Sequence, residues 1–310
     1  MVCMAPMSQK ESTVIKPKTG RVAVVGASSQ IGQALLPRLA SAGYLAFRIG
    51  REVRSVAEGV TTHVFDELSS SFVPSLDSVD AVISLAPLPS IDVVLKMAHS
   101  LGAKRVIAFG STGRFSKIGS TSEIERDFVA QQERAEKVFS IGCEAAGMGW
   151  TLFRPTMIYG ADTDQNISFI KAVIRRFGFY PMPIGAKGLR QPVHIDDLAD
   201  ACVAALACES TLNRAYNLGG GEVLSFPELV RKIFKAEGKL PVLVPIPKAL
   251  FFLLIAVAKR VPKAAFIRKE MVERMFQDLT VDNQPAKNDF GYAPHSFGFH
   301  WNSRNRGDLV

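Results

Sequence analysis

The sequence predicts an α/β fold, a doubly wound parallel sheet with a smaller C-terminal lobe. Three observations carry that prediction. Short β-branched runs alternate with helical repeats along the first half of the chain. A glycine-bearing turn, Gly26–Gly32, joins the first run directly to the first repeat. With 310 residues, 47% of them hydrophobic and 21% charged, the chain can bury a large core in one domain or in a domain with an added lobe.

The elements follow in order. MVCMAPMSQKESTVIKPKTG lacks the continuous apolar stretch of a secretory signal, and residues 1–19 read as a loose tail. RVAVV (21–25) is a β-branched run cut off by the turn, which marks a buried strand. Ile31, Leu35 and Leu39 recur at helical spacing up to Ala42, and Gly43 is a natural stop. Pro37 falls inside that helix and should kink it or lie near its first turn. Further strands are expected at 45–49, 62–65, 81–86 and 105–110, with a helix over 90–101. A long helix over about 123–147 and a strand at TLFR (151–154) continue the alternation. Strands and helices in this order bury both faces of a parallel sheet. Residues 20–160 form the first domain. Residues 161–310 are mainly a substrate lobe, with segments around 190–200 and 215–220 returning to the first core.

A net charge of +8 suits anionic partners: nucleotides, phosphorylated sugars or an acidic membrane face. Nucleic acid is excluded, because Lys and Arg are scattered and no basic stripe is interleaved with aromatics. The four cysteines show no metal-ligand spacing, so no metal is expected, and they read as thiols of a reducing cytoplasm. No stretch reaches the roughly 18 apolar residues of a membrane span. ALFFLLIAVA (249–258), bracketed by Lys248 and by Lys259–Arg260, is read first as a core or dimer helix. The other reading lays 248–269 in the interface of an anionic membrane, at its inner face, with lysines reaching the headgroups. The charged helix over 123–147 offers a surface for a homodimer.

In VAVVGASSQIGQAL, Gly26 allows a sharp turn and Gly32 removes a Cβ where helix and strand pack closely. Backbone N–H groups at such a helix start form a pyrophosphate site of Rossmann type. A strict G-x-G-x-x-G is absent. Ser28 and Ser29 supply hydroxyls instead, and Gln30 and Ile31 open the helix. The second strand ends in FRIGRE, where Arg48 and Arg51 suit the 2′-phosphate of NADP better than the bare ribose of NAD. Simple solvated arginines are the other reading. Asp66, after the third strand, is positioned to hold an adenine amine.

From about residue 20 to 295 the chain resembles the extended short-chain dehydrogenase/reductase family, of the NAD-dependent epimerase/dehydratase type that acts on nucleotide sugars. VVGASSQIG, FDEL, VISLAP, FGST, LFRPTMIYG, RQPVHIDDLADA, YNLGGGEVLSFPEL and DNQPAKNDFGYAP carry the resemblance in order. It implies that Leu85, Ala86, Pro87 and Pro155 line the cofactor, and that a hydroxyl at the end of the fifth strand assists catalysis. Thr112 is the first candidate and Ser111 the second; a turn hydroxyl capping the strand end is the other reading. In the family a Tyr-x-x-x-Lys on the long helix supplies the acid/base. Here those positions are Phe128 and Gln132, and no Tyr-x-x-x-Lys occurs in the chain. Lys117 and Arg114 lie close enough in sequence to offer a cation at the same site. Tyr159 is the nearby phenol that could substitute, although its family equivalent supports the cofactor pocket.

The resemblance also implies substrate contacts at Asn166, Arg190 and Arg274, with Arg190 on a diphosphate. A salt bridge from Arg190 to Asp196 or Asp197 is its other reading. His194 is expected to be buried and hydrogen-bonded, and Asp196–Asp197 to cap a helix starting at Leu198. Two function classes follow. One is a cytoplasmic, NAD(P)-dependent oxidoreductase or epimerase/dehydratase that uses a nucleotide sugar or related carbonyl and a non-standard proton donor. The other is a catalytically inactive NADP-binding protein with a structural or redox-sensing role. The substrate-side segments point to the first, and the Phe128/Gln132 pair points to the second.

Overall fold

A computed structural model describes residues 20–50, 60–64, 76, 78–160, 164, 166–258 and 268–298. The first half runs β1 (Arg21–Val25), α1 (Gln30–Ser41), β2 (Leu45–Gly50), β3 (Val60–Val64), β4 (Ala81–Ser84), α2 (Ile91–Ser100), β5 (Arg105–Phe109), α3 (Gly113–Ser116), α4 (Glu123–Ala145) and β6 (Gly149–Pro155). There follow β7 (Ile158–Tyr159), α5 (Ile167–Phe177), β8 (Tyr180–Pro183), β9 (Leu189–Arg190), β10 (Val193–His194) and α6 (Ile195–Ala207). The chain continues through β11 (Arg214–Leu218), β12 (Leu224–Ser225), α7 (Phe226–Ala236), β13 (Leu243–Ile246), α8 (Lys248–Ala258), α9 (Lys269–Arg274) and α10 (Gln284–Phe290).

Seven strands pair in the order β11-β6-β5-β4-β1-β2-β3, every pair parallel. The chain builds outward from β1 to β3 and then returns to β4 on the other side of β1. The crevice between the ends of β1 and β4 is therefore the point where the winding reverses, and open α/β sheets bind ligands at that point. Period-two alternation sends Val22 and Val24 of β1 into a layer with Leu35 and Leu39 of α1 and Leu198 and Cys202 of α6. Ala23 faces the opposite layer, with Ile91 and Ala98 of α2 and Phe139 and Cys143 of α4. Both faces are covered, which is why strands such as RVIAF are buried along their whole length.

α1 continues through Pro37, which lies in its second half and not near its first turn as one expectation had it. Pro37 points outward, so the Gln33 carbonyl that loses its helical donor faces solvent, which can serve it. α6 begins at Ile195, earlier than the expected Leu198, and its cap is His194 rather than the acidic pair. His194 Nδ1 accepts the Asp196 N–H at 3.2 Å, and Asp196 and Asp197 occupy the first turn, where negative charge meets the positive end of the helix.

The lobe has its own core, formed by Ile170 and Ile174 of α5, Tyr180 of β8 and Leu229, Ile233 and Phe234 of α7. α7 starts on a reciprocal capping box between Ser225 and Glu228. α8 is only partly a core helix, so the core half of the reading of 249–258 holds in part. Phe251 is buried with Val272, while Leu250, Leu253 and Leu254 are exposed. Among the described residues no helix is long and apolar enough to cross a membrane, and no cluster of His, Cys, Asp or Glu could hold a metal.

Candidate functional site

The crevice at the winding reversal is built mainly from backbone. Gly26 has φ 73°, and a Cβ there would lie 3.1 Å from the Ala86 nitrogen and the Leu85 carbonyl carbon. The Leu85 N–H donates to the Val25 carbonyl at 2.9 Å, which locks the two strand ends together. At Gly32 a Cβ would come within 2.4 Å of the Ala27 carbonyl oxygen, so only glycine lets α1 start so close to β1. Ser29 is the N-cap of α1, its Oγ accepting the Gly32 N–H at 3.2 Å. Ser28 is exposed beside it, whereas the Ile31 side chain belongs to the core, so only its backbone can meet a ligand. Arg48 lies in β2 beside Val24, is buried, and has no hydrogen-bond partner for Nε among the described residues. Arg51 and Asp66 lie outside the described residues.

A second cluster forms where the segment after β5 meets α4. Thr112 donates its N–H at 3.2 Å and its hydroxyl at 3.0 Å to the Pro155 carbonyl. This binds the segment to the end of β6. Ser111 Oγ accepts the Gly113 N–H at 3.0 Å, and its own proton has no acceptor among the hydrogen bonds of the described residues. Around Gly113, Ser111 Oγ, the Phe128 ring edge and Lys117 Cε converge within 3.0–3.6 Å of the Cβ position. The Lys117 ammonium stands 4.0 Å from the centre of the Phe128 ring.

Burial pushes the Lys117 pKa below its ordinary value, and the Arg274 and Arg268 charges push the same way; the Glu125 carboxylate opposes them. Glu125 pairs with Arg274 at 2.5 Å. Burial alone would raise its pKa, but hydrogen bonds from Ser120 and Arg274, with the charges of Arg274 and Lys117, hold it below the ordinary value. One helical turn beyond Phe128, Gln132 is buried with no partner for Oε1 among the described residues. One turn further, Glu136 takes Arg154 in a two-pronged pair at 2.9 and 2.7 Å, and also Arg114. Both guanidinium groups also lie over the Phe115 ring, at 4.9 and 5.6 Å. This network fixes the loop that carries Ser111 and Lys117.

Three of the expected site residues sit differently. Tyr159 is 2% exposed, accepts the Gly298 N–H at 3.1 Å, and packs on His194 and Phe297. Burial pushes its phenol far above the usual range, and the ring packs in the core of the lobe. Arg190 is buried and gives its guanidinium to the carbonyls of Leu189, Gln277 and Arg274 at 2.7, 2.8 and 2.5 Å. It clamps β9 to the end of α9 and makes no salt bridge to the acidic pair; Arg38 bonds Asp196 instead, at 3.2 Å. Thr112 has its hydroxyl donated to the Pro155 carbonyl, which ties the strand end as in its other reading. Asn166 is exposed because Asp164 caps α5 in its place, accepting the Ile167 N–H at 2.6 Å. His194 is buried and hydrogen-bonded, as expected. The packing of Lys117 on Phe128 and the Glu136 network were missed. The i, i+4 spacing of Phe128, Gln132 and Glu136 was the available signal, since it puts all three on one face of α4.

A parallel sheet wound about a glycine turn at its reversal point defines a Rossmann-type nucleotide-binding fold. The chain belongs to the NAD dependent epimerase/dehydratase family, whose model matches residues 22–219. It is 24% identical over 210 residues to a UDP-glucose 4-epimerase of Vibrio cholerae, covering 64% of this chain and 61% of that protein. It is 27% identical over 231 residues to an NAD(P)H azoreductase of Xenophilus azovorans, covering 70% and 74%. Its fold is similar to that of a Thermotoga maritima UDP-glucose 4-epimerase solved with UDP-glucose, with a TM-score of 0.64, 18% identity and coverage of 88% and 93%. The chain spans only 38 to 61% of the length of several curated relatives that it matches.

Proposed function

We propose that this protein is an NADP-dependent oxidoreductase or epimerase/dehydratase acting on a nucleotide sugar or related carbonyl, with Lys117 as its proton-exchanging group. The observation that carries this reading is the ammonium seated 4.0 Å over the Phe128 ring, next to the Ser111 hydroxyl. The glycine crevice fits a dinucleotide, because Gly26 and Gly32 leave no room for side chains and bring backbone to its walls. Bound there, NAD(P) would supply the hydride donor and acceptor.

The first amides of α1, with Ser28, Ser29 and Gln30, would hold the pyrophosphate. Arg48 and Arg51 would hold the 2′-phosphate, and Asp66 the adenine. Leu85, Ala86, Pro87 and Pro155 would line the walls. Ser111 donates a hydrogen bond to the substrate oxygen, and Lys117 Nζ gives that oxygen its proton or takes it away. Thr112 keeps both in place through Pro155. Arg274, paired with Glu125, and the exposed Asn166 would meet the substrate, where a cation and an amide suit a diphosphate.

The test is titration with NADPH and NADH, followed by turnover on UDP-sugars and simple ketones. Turnover with NADPH is expected, and Lys117→Met should lose about 10²–10⁴-fold in kcat with NADPH affinity unchanged. Undiminished turnover in that variant would remove Lys117 from the chemistry. The specific observation favouring the second reading, a cofactor-binding protein without catalysis, is the half-buried Phe128 and buried Gln132 at the positions of the family's acid/base pair. Tight NADPH binding with no turnover on any substrate would select it.

A further inference from the structure

We infer that the substrate lobe carries a docking face for an anionic lipid surface, built from β13 and α8, and that this holds whatever the crevice catalyses. Among the described residues, several exposed apolar side chains lie on these elements. Leu240 is 85% exposed, Leu253 60% and Ile184 59%, and Val242, Leu250 and Leu254 stand in solvent with them. The elements that carry them adjoin. β8 and β13 pair in parallel, the Tyr180 N–H donating to the Val242 carbonyl and the Ile184 N–H to the Ile246 carbonyl, both at 2.9 Å. α8 follows β13 directly, and the Phe251 N–H closes the junction on the Pro247 carbonyl at 3.0 Å. α8 is anchored from below by Phe251 against Val272, so its leucines are held outward rather than left loose.

Charge selects the occupant. Residues 238–269 contain seven Lys and Arg and no Asp or Glu, the described cations being Lys239, Lys248, Arg268 and Lys269. Lys239 caps the end of α5, with Nζ at 3.1 and 3.0 Å from the Ile174 and Arg175 carbonyls. Lys248 lies over the Phe276 ring at 4.8 Å. A second copy of this chain fits poorly, because a two-fold contact would set these cations against themselves. A protein partner's hot spots favour Trp, Tyr and Arg anchors, whereas this face is aliphatic with a lysine-rich surround. Aliphatic side chains beside a run of chain rich in Lys and Arg match the headgroup and acyl boundary of an anionic bilayer. With 11 residues, α8 lies on such a surface and cannot span it.

The experiment is flotation of the full chain with phosphatidylcholine vesicles with and without phosphatidylglycerol, at low and high salt. Binding is expected only with phosphatidylglycerol, and it should weaken as salt rises. The double variant Leu253→Asp, Leu254→Asp should lose at least about tenfold in vesicle affinity. Ile141→Asp, on the exposed side of α4, should lose nothing. Both sites are in solvent, so unchanged thermal melts will show that the variants fold. Equal binding to both vesicle types, no binding by folded protein, or an unaffected double variant would each overturn the inference. So would a dimer abolished by the double variant, which would make the face an interface between copies. Retention on polyglutamate without retention on vesicles would assign it to an acidic polypeptide and overturn it too.

Discussion

The two halves of the site are made in different ways. The crevice at β1 and β4 is a backbone construction, where Gly26, Gly32 and the Leu85–Ala86 peptide fit against one another through atoms that every residue has. The corner at α4 is a side-chain construction, where Lys117, Phe128, Ser111 and the Glu136 network meet from three segments. Backbone sites tolerate almost no added atom but depend little on charge. Side-chain corners tolerate shape changes and depend on every charge. The lesson is that cofactor binding and proton transfer should fail separately.

The largest expected effect is at Lys117. Lys117→Met should cut kcat by about 10²–10⁴-fold, or roughly 3–5.5 kcal/mol of barrier, and leave the NADPH dissociation constant alone. The pH profile sharpens this. Burial lowers the Lys117 pKa, so the amine form appears at a lower pH than for an ordinary lysine. Carbonyl reduction uses the ammonium and should fall as pH rises through that lowered pKa. Alcohol oxidation uses the amine and should rise over the same window. A single pH profile for both directions would break the separation between the two halves.

Glu136→Gln comes next. It leaves the Arg114 and Arg154 guanidinium groups without their carboxylate on a largely buried face. Breaking a buried pair costs about 3–5 kcal/mol, and the partial exposure of both arginines reduces this to about 2–3 kcal/mol. Denaturant unfolding measures it. The loss of kcat should exceed the loss of NADPH affinity, because the network holds the corner and not the crevice.

Gly26→Ala tests the other half. The φ of 73° and the 3.1 Å approach to Ala86 make the new methyl strained by about 1–3 kcal/mol. NADPH and NADH affinities should fall together, as calorimetry would show, and the pH profile of kcat should keep its shape. A shifted profile would mean that the two halves are coupled.

The same division explains what could be read from the chain. β1, α1 and the glycine turn rest on local periodicity and on spacing, and these are properties of contiguous residues. The buried clamp of Arg190, by contrast, depends on carbonyls at Gln277 and Arg274, far along the sequence. An arginine ahead of an acidic helix reads as a ligand residue until those carbonyls are seen. Tyr159 misleads for a related reason, because its environment is set by Phe297 and Gly298 from the end of the chain. Lys117 was visible as a cation near Ser111 and Thr112. Its seat on Phe128 required the turn at α3 to fold the segment back on α4.

The smallest expected effect lies at Gln132, and it divides the two functional readings most finely. Its Oε1 is buried with no hydrogen-bond partner among the described residues, an arrangement that burial alone disfavours. Gln132→Leu removes the orphaned oxygen at similar volume and should stabilise the free protein by about 0.5–1 kcal/mol, seen as a raised unfolding midpoint. A group kept at such a cost in the free protein should find its partner in a complex. If that partner is cofactor or substrate, the same variant should melt less readily alone yet gain less than the parent from added NADPH or UDP-sugar. Equal ligand-induced stabilisation in both proteins would make Gln132 a plain packing residue and leave the substrate oxygen to Lys117 and Ser111 alone.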